Sequence, residues 1–397
     1  MPSFSVVGAA PAMKIRENFL IFGQPLIEQP EIDEVVDSLK KAWLGTGPKV
    51  ARFENDFAAY KGVKAAVSVN SCTAALHLSI LAAGLKPGDE VITTAMTFCA
   101  TVNAIIHAGA TPVLADVDPA TMCLDPADVE RRITPRTRAI SVVHFAGYPA
   151  NMAAFTALAE KYGLKLIEDC AHAIETEIDG RKAGTFGDFG CFSFYATKNI
   201  CTGEGGMILA RKEEDVQRLK VLALHGMSHD AWRRFSDAGY KHYSVVECGF
   251  KYNMMDLQAA IGIHQLQRVE RWWERRRDLY LRYREAFADL PIGLPYDAPA
   301  GSRHAYHLFP ILIDEKRAGI SRDAFLDAMT ERKIGVGVHY LSVAEHPFYQ
   351  DTYAWKAGDY PQAQRIGQQT VSLPLSPRLS DDDAQDVIDS VRGILAR

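Results

Sequence analysis

Short apolar segments alternate with helical patterns over residues 64–210, and this alternation limits the possible fold more than any other feature. Each apolar segment is nearly continuous, which predicts strands that are buried on both faces. Strands of this kind, separated by helices, form a largely parallel sheet that helices cover on both sides. The predicted strands include residues 67–69, 111–116, 138–143 and 165–167, and the predicted helices include 73–83, 97–108 and 152–161.

A carboxylate and a lysine follow two of these predicted strands. Asp169 comes two residues after the strand at 165–167, and Lys198 comes five residues after Ser193, where a later strand ends. Parallel sheets bind ligands at the carboxyl ends of their strands, so the two side chains are expected in one crevice. Pyridoxal phosphate requires a lysine that bonds to its aldehyde and an acid that keeps its pyridine nitrogen protonated. The pair predicts such a site, although a lysine after a strand is more often a solvated surface residue.

Other polar and aromatic residues fall at similar places. Ser71 and Thr73 lie where a strand turns into a helix, and free amides and hydroxyls at a helix start suit a phosphate, although an ordinary helix cap is the alternative. Ser193 could supply another hydroxyl to the same phosphate. Phe98 could lie flat on a pyridine ring or belong to the core. His172 could reach the cofactor's phenolic oxygen or be a core histidine with satisfied hydrogen bonds.

Length and composition narrow the class of protein. A chain of 397 residues favours two domains, expected at 14–270 and 271–397, after a flexible leader at 1–13 that lacks the basic residues of a secretion signal. The net charge of −5, with both signs mixed, argues against nucleic-acid binding, and no apolar run is long enough to cross a membrane. The seven cysteines lack paired spacing, which indicates a reducing, cytoplasmic location and no metal site.

The second half of the chain predicts a smaller α/β domain. A long helix is expected over residues 256–287 and would link the two domains. Strands are expected at 306–313 and 336–339, and helices at 321–332 and 380–395, of which the first begins at a capping serine.

Seven segments together resemble the DegT/DnrJ/EryC1/StrS family of pyridoxal-phosphate-dependent sugar aminotransferases, and the resemblance runs from Phe22 to Pro377. It implies the aspartate aminotransferase fold (fold type I), with a mostly parallel seven-stranded sheet, helices on both faces and a smaller C-terminal α/β domain. The segments that carry the resemblance are residues 44–48, 70–77, 87–91, 97–101, 192–206, 249–260 and 373–375.

The family pattern implies a role for each matching residue. Lys198 would bond to the cofactor, Asp169 would pair with its pyridine nitrogen, and His172 would lie near its phenolic oxygen, where glutamine is common in the family. Phe98 would stack on the ring. The residues implied at the phosphate are Ser71, Cys72, Thr73 and Ser193.

Asn253 matches a residue that reaches the phosphate of the partner subunit, so the resemblance also implies a homodimer with shared active sites. Two departures bear on this picture. Cys72 replaces a common glycine in the phosphate loop. Lys251 and Asn253 replace the asparagine and arginine of another branch of the family.

The function implied is transfer of an amino group from glutamate to a keto sugar, expected to be a nucleotide-linked 4-keto-6-deoxy hexose, in amino-sugar biosynthesis for a polysaccharide or an antibiotic. A cyclitol ketone or a 3-keto sugar stays open as acceptor, because loops such as 227–243 and 339–349 set this choice. His307, His339 and Tyr340 lie in the small-domain half without an assigned role. Lys198 argues against the branch that replaces it with histidine and dehydrates sugars. Together with Asp169 and the phosphate loop, Lys198 also argues against a regulator that binds the cofactor without turnover.

Overall fold

The computed structural model describes residues 15–228 and 243–395. The expected leader at 1–13 and most of the loop at 227–243 therefore lie outside the described residues. None of the described helices is both long and apolar enough to cross a membrane.

Twelve strands are present in the described part of the chain. In order they are β1 (Ala66–Val69), β2 (Glu90–Thr94), β3 (Thr111–Ala115), β4 (Thr137–Val143), β5 (Lys165–Asp169), β6 (Glu177–Ile178), β7 (Arg181–Lys182), β8 (Phe189–Ser193), β9 (Gly206–Ala210), β10 (Ser302–Arg303), β11 (Phe309–Leu312) and β12 (Thr370–Leu373).

Seven of the strands form the central sheet, in the order β1-β9-β8-β5-β4-β2-β3. Strand β9 is antiparallel to both of its neighbours, and every other pair is parallel. This confirms the prediction of a mostly parallel sheet of seven strands. The hairpin β6–β7 pairs with β10. In the sequence it lies between Asp169 and β8, the strand that precedes Lys198.

The helices of the described residues are, in order, α1 (Gln29–Lys40), α2 (Pro48–Lys61), α3 (Cys72–Ala82), α4 (Cys99–His107), α5 (Pro126–Arg132), α6 (Met152–Tyr162), α7 (Glu213–Ala223), α8 (Asp256–Gln267), α9 (Val269–Ala286), α10 (Glu315–Ala318), α11 (Arg322–Glu331), α12 (Pro347–Tyr353), α13 (Pro361–Gln369) and α14 (Asp381–Leu395). Ser71, Asn151 and Ser321 cap the starts of α3, α6 and α11, each accepting a backbone N–H of the first turn.

The central sheet separates two apolar cores, because successive residues of a strand point to opposite faces. Helix α3 packs in one core and α6 in the other. A further core is formed by α9, α11, α14 and the pair β11–β12. Strand residues of the first core include Val91, Ala139 and Ile167, and those of the second include Ile92, Ile140 and Leu166.

Two predictions for the second half of the chain were wrong. The helix expected over 256–287 is two helices, because Arg268 leaves helical geometry (φ −106°, ψ 3°) and its guanidinium pairs with Glu28 and Glu31. No strand spans 336–339: Gly337 alone pairs with Ser372 of β12 before the chain turns to the wall of a cavity. The division into domains near residue 270 stays a prediction.

Candidate active site

The carboxyl ends of the parallel strands surround a cavity of about 620 Å³. Strand β1 leads into its wall at Ser71, β5 ends there at Asp169, and β8 ends there at Ser193. Eight of the nine predicted site residues line this cavity, and the exception is Asn253. The eight are Ser71, Cys72, Thr73, Phe98, Asp169, His172, Ser193 and Lys198.

Strand pairing holds the backbone of Asp169, and two hydrogen bonds hold its carboxylate. In the sheet it lies between Val143 of β4 and Cys191 of β8. Its Oδ1 accepts the Ala171 N–H at 3.1 Å, and its Oδ2 accepts the Thr101 hydroxyl at 2.9 Å. Burial raises the pKa of Asp169, against these hydrogen bonds and the charge of Lys198, which lower it. A protonated ring nitrogen in front of the carboxylate would favour its ionised form further.

A second threonine extends this arrangement. The hydroxyls of Thr97 and Thr101 lie 2.8 Å apart. Because the single hydroxyl proton of Thr101 goes to Asp169, Thr97 is the donor in this pair. Both threonines are buried, so the chain of hydroxyls fixes the direction of the carboxylate.

Lys198 lies in the turn after β8, where its backbone N–H donates to Tyr195 O at 2.9 Å. Desolvation lowers the pKa of Lys198 to about 8, although Cys72 and Asp169 raise it. An amine with this pKa is partly neutral near physiological pH, so it can attack an aldehyde or take up a proton.

The loop before α3 and the end of β8 form an anion cradle. The first amides of α3, from Cys72 and Thr73, have no acceptor within the helix and point out of its positive end. Gly206 of β9 is paired with Val69 on one side and with Ser193 on the other. A Cβ on Gly206 would lie 2.6 Å from the carbonyl carbon of Ser71. The glycine therefore lets the Ser71 loop lie close to Ser193.

Cys72 does not disturb this loop. It is the first residue of α3 and follows an extended Ser71, so its backbone is one that any residue adopts. Burial raises the pKa of the Cys72 thiol well above its usual value, with a further contribution from Asp169. The thiol is therefore uncharged where it faces the cavity.

His172 belongs to a buried cluster with Tyr340 and His307. Its Nδ1 accepts the Ala146 N–H at 3.2 Å, so its proton is on Nε2, which lies 3.2 Å from the Tyr340 hydroxyl oxygen. The His307 ring packs on the His172 ring with centroids 4.3 Å apart. Burial and the charge of Lys198 lower the pKa of both histidines well below 6.5, so both are neutral.

The tautomer of His307 follows from its neighbour Asn199. The Asn199 amide nitrogen donates to Glu175 Oε2 at 2.7 Å and to Ala305 O at 3.0 Å. Its oxygen therefore accepts from His307 Nδ1 at 2.9 Å. The Nε2 atom of His307 is left as an acceptor in a residue that lines the cavity.

Sequence reasoning missed several of these residues. His307, His339 and Tyr340 had no assigned role, and all three line the cavity. They lie more than a hundred residues from His172, so no local pattern could connect them. Thr101 carried one usable signal, since it lies four residues after Thr97 in the segment that follows a predicted strand, a spacing that brings two side chains together at a helix start.

The surroundings of Phe98 and Asn253 bear on their predicted roles. Phe98 is the cap residue before α4, although the predicted helix began at residue 97, and it is 57% exposed at the cavity wall. Asn253 lies next to Val69 and donates from Nδ2 to Thr46 Oγ1 at 2.7 Å. Its Oδ1 is buried and has no hydrogen-bond partner among the described residues.

One cluster outside the cavity has the residue types of a metal site. His144, Glu168 and Cys170 are buried with their ligand atoms within 4.8 Å of one another. Glu168 already accepts backbone N–H groups from Gly184, Phe186 and Gly187, and the Nε2 of His144. These hydrogen bonds explain the cluster as a structural one that supports the loop before β8.

The donor set around the cavity fits pyridoxal phosphate. A helix start with free amides suits its phosphate, and a fixed carboxylate suits its ring nitrogen. A lysine with a lowered pKa suits its aldehyde, and an exposed phenylalanine offers a face to its ring.

Comparison with known proteins agrees with this geometry. Residues 25–392 match the profile of the DegT/DnrJ/EryC1/StrS aminotransferase family. The chain is 48% identical, over 96% of its length and 98% of the relative's, to the spore coat polysaccharide biosynthesis protein SpsC of Bacillus subtilis. Among solved structures it resembles the PLP form of Spr1654 from Streptococcus pneumoniae, with 30% identity, a TM-score of 0.88 and coverage of 95% and 99% of the two chains.

A further similarity is to DesI in the presence of its TDP-sugar product, with 31% identity, a TM-score of 0.86 and coverage of 96% of this chain and 94% of DesI. The fold, the cavity and these similarities lead to one conclusion. The chain belongs to the DegT/DnrJ/EryC1/StrS family and is a pyridoxal-phosphate-dependent sugar aminotransferase.

Proposed function

We propose that this enzyme moves the amino group of glutamate to a keto sugar that is linked to a nucleotide, most specifically a 4-keto-6-deoxy hexose. The observation that carries the proposal is the cavity in which Lys198, with its pKa lowered to about 8, lies with the fixed carboxylate of Asp169. The similarity to DesI, whose product is a TDP-linked sugar, supports the class of acceptor.

The residues of the cavity have separate tasks in this reaction. Pyridoxal phosphate, when bound, would supply an aldehyde carbon that takes the amino group from the donor and gives it to the acceptor, and a ring that accepts electrons. Lys198 would hold the cofactor at its aldehyde, and the free amine of Lys198 would move a proton to or from the substrate carbon. The lowered pKa of Lys198 favours this task, because a neutral amine is the form that accepts the proton.

Asp169 keeps the ring nitrogen protonated in this proposal, and Thr101 and Ala171 fix the direction of its carboxylate. Ser71, Cys72, Thr73 and Ser193 hold the phosphate at the start of α3. Phe98 covers the ring.

A spectroscopic assay tests the two halves of the reaction. Glutamate should bleach the absorbance of the bound cofactor, and a keto acceptor should restore it. A panel of nucleotide-linked 4-keto and 3-keto sugars, with a cyclitol ketone as a further member, identifies the acceptor. If only the cyclitol ketone restored the absorbance, the acceptor would be a cyclitol ketone and not the proposed nucleotide-linked sugar. Absence of bleaching by glutamate would remove glutamate as the donor.

We also propose a homodimer in which Asn253 reaches the partner's phosphate site. Asn253 does not line the cavity of its own chain. Since Thr46 Oγ1 donates to Met254 O, the Asn253 amide nitrogen must be the group that donates to Thr46, and its second proton stays available for a phosphate oxygen. The proposed location is the cytoplasm, which is supported by seven cysteines that form no disulfide.

A further inference from the structure

One buried ion pair connects helix α9 to the segment that carries Lys198. Glu175 lies between β5 and β6, and its Oε1 accepts a hydrogen bond from the Arg276 guanidinium of α9. The two side chains are 0% and 1% exposed, so water solvates neither charge. Buried ion pairs add little stability compared with apolar residues of similar size, because both charges lose their hydration. Stability alone therefore does not account for this pair.

The pair holds the side chain of Asn199, the residue that follows Lys198. Glu175 Oε2 accepts one Asn199 amide proton at 2.7 Å, and Ala305 O accepts the other at 3.0 Å. An ionised carboxylate and a carbonyl only accept hydrogen bonds, so an Asn199 amide turned the other way would place its oxygen against both of them. Asn199 therefore has one orientation, in which its oxygen faces His307 Nδ1 at 2.9 Å.

This orientation decides which ring nitrogen of His307 carries the proton. Burial lowers the pKa of His307 well below 6.5, and a neutral imidazole has one N–H group and one acceptor nitrogen. Donation from Nδ1 to Asn199 leaves Nε2 as the acceptor. His307 lines the catalytic cavity, where its ring packs on His172. A hydroxyl or amino group of a substrate is the kind of group that can donate to this nitrogen.

We propose that Glu175 and Arg276 are positioning residues for the catalytic cavity. Through the Asn199 amide they hold His307 as the tautomer whose Nε2 accepts a hydrogen bond from a hydroxyl or amino group of the substrate. Arg276 balances the charge of the buried Glu175, and Glu175 supplies the acceptor that fixes the amide. The inference rests on the proposed function only for the identity of the two substrates, since the tautomer belongs to the enzyme itself.

The substitution Glu175→Gln tests this arrangement with almost no change of shape. The glutamine oxygen should stay with Arg276, which only donates, so the glutamine amide nitrogen would face Asn199. Asn199 would then turn its oxygen toward the glutamine and its amide nitrogen toward His307 Nδ1. The His307 proton would consequently move to Nε2, and the acceptor in the cavity would be lost.

Nuclear magnetic resonance of the pyridoxal phosphate enzyme, labelled with ¹⁵N-histidine, measures the tautomer directly. Protonated and unprotonated ring nitrogens differ in chemical shift, and loss of signals in His307→Gln assigns His307 among the 12 histidines. Wild type should carry the proton on Nδ1, and Glu175→Gln should carry it on Nε2. The matched control is Glu177→Gln, which should leave the tautomer unchanged, because Glu177 pairs with Lys182 and does not line the cavity.

The two half-reactions test the task of the acceptor nitrogen. In Glu175→Gln the KM of glutamate, of the keto sugar or of both should rise by about 5-fold to 100-fold, the loss typical of one unmade hydrogen bond, while Glu177→Gln stays at the wild-type value. A rise for glutamate identifies an amino group as the donor to His307, and a rise for the keto sugar identifies a hydroxyl. A pair that only braced the turn of Lys198 would instead lower kcat and leave both KM values unchanged.

The outcomes separate this inference from the proposed function. A wild-type His307 with its proton on Nε2 overturns the inference, and this measurement needs no variant, so poor folding of Glu175→Gln does not protect the inference. An unchanged tautomer in Glu175→Gln overturns it as well, as does a changed tautomer with both KM values unchanged. Failure of glutamate to bleach the wild-type cofactor counts against the proposed function alone, because the tautomer is measured without a substrate.

Discussion

Capture of pyridoxal phosphate by the apoenzyme should depend on pH through Lys198. Only the neutral amine attacks an aldehyde, and the pKa of Lys198 is lowered to about 8. At pH 7 about one lysine in ten is then neutral, whereas an ordinary lysine would be neutral in about one case in three thousand. Because the pKa of Lys198 is lowered, the neutral fraction of its amine increases at a lower pH than that of an ordinary lysine. The capture rate should therefore rise about tenfold between pH 7 and 9 and then level off.

Stopped-flow absorbance at each pH measures this rate after pyridoxal phosphate is mixed with the apoenzyme. The same reaction with Nα-acetyl-lysine, in parallel, corrects for the ionisations of free pyridoxal phosphate. Asp169→Asn removes a charge that raises the pKa of Lys198, so its plateau should begin at a lower pH. A rate that continues to rise tenfold per pH unit up to pH 10 would refute the lowered pKa.

The remaining predictions concern single changes at the cavity. Lys198→Ala should lower transamination by at least ~10²-fold to 10⁴-fold with an unchanged circular dichroism spectrum, and substantial turnover would remove Lys198 from the mechanism. Asp169→Asn should slow the glutamate half-reaction by about 10²-fold to 10³-fold while the cofactor still binds; near-normal rates would argue against its pairing with the ring nitrogen. Gly206→Ala should weaken cofactor binding, because its Cβ would lie 2.6 Å from Ser71, and an unchanged dissociation constant would contradict the cradle. Mixed Lys198→Ala and Asn253→Ala subunits should partly regain activity, and no recovery in proven heterodimers would place Asn253 outside the partner's site.

The sequence predicted the sheet well because its strands are buried on both faces. Continuous apolar segments such as β4 and β5 have few alternatives to a covered parallel strand, and their ends then place polar residues at one edge. Asp169 and Ser193 could be located in this way. Their roles at a pyridoxal phosphate site, inferred from the residues and then from the family resemblance, remain predictions.

Other features depend on contacts between distant parts of the chain. No glycine or proline marks the break at Arg268, which pairs with glutamates far back in the sequence. The segment at 336–339 reads as a strand, but only Gly337 is paired with β12, and the following residues form the cavity wall. The partners of His172 could not be inferred, because Tyr340 is brought to it by tertiary packing alone.

Transfer of labelled nitrogen tests the central claim most directly. The purified enzyme with pyridoxal phosphate is incubated with ¹⁵N-glutamate and a nucleotide-linked 4-keto-6-deoxy hexose. The masses of the products are then measured by mass spectrometry. The account predicts an amino sugar that carries the ¹⁵N label, formed in equal amount with 2-oxoglutarate, and at least ~10²-fold less of it with Lys198→Ala. A wild-type enzyme that consumes neither substrate, or that makes 2-oxoglutarate without a labelled sugar, would contradict it.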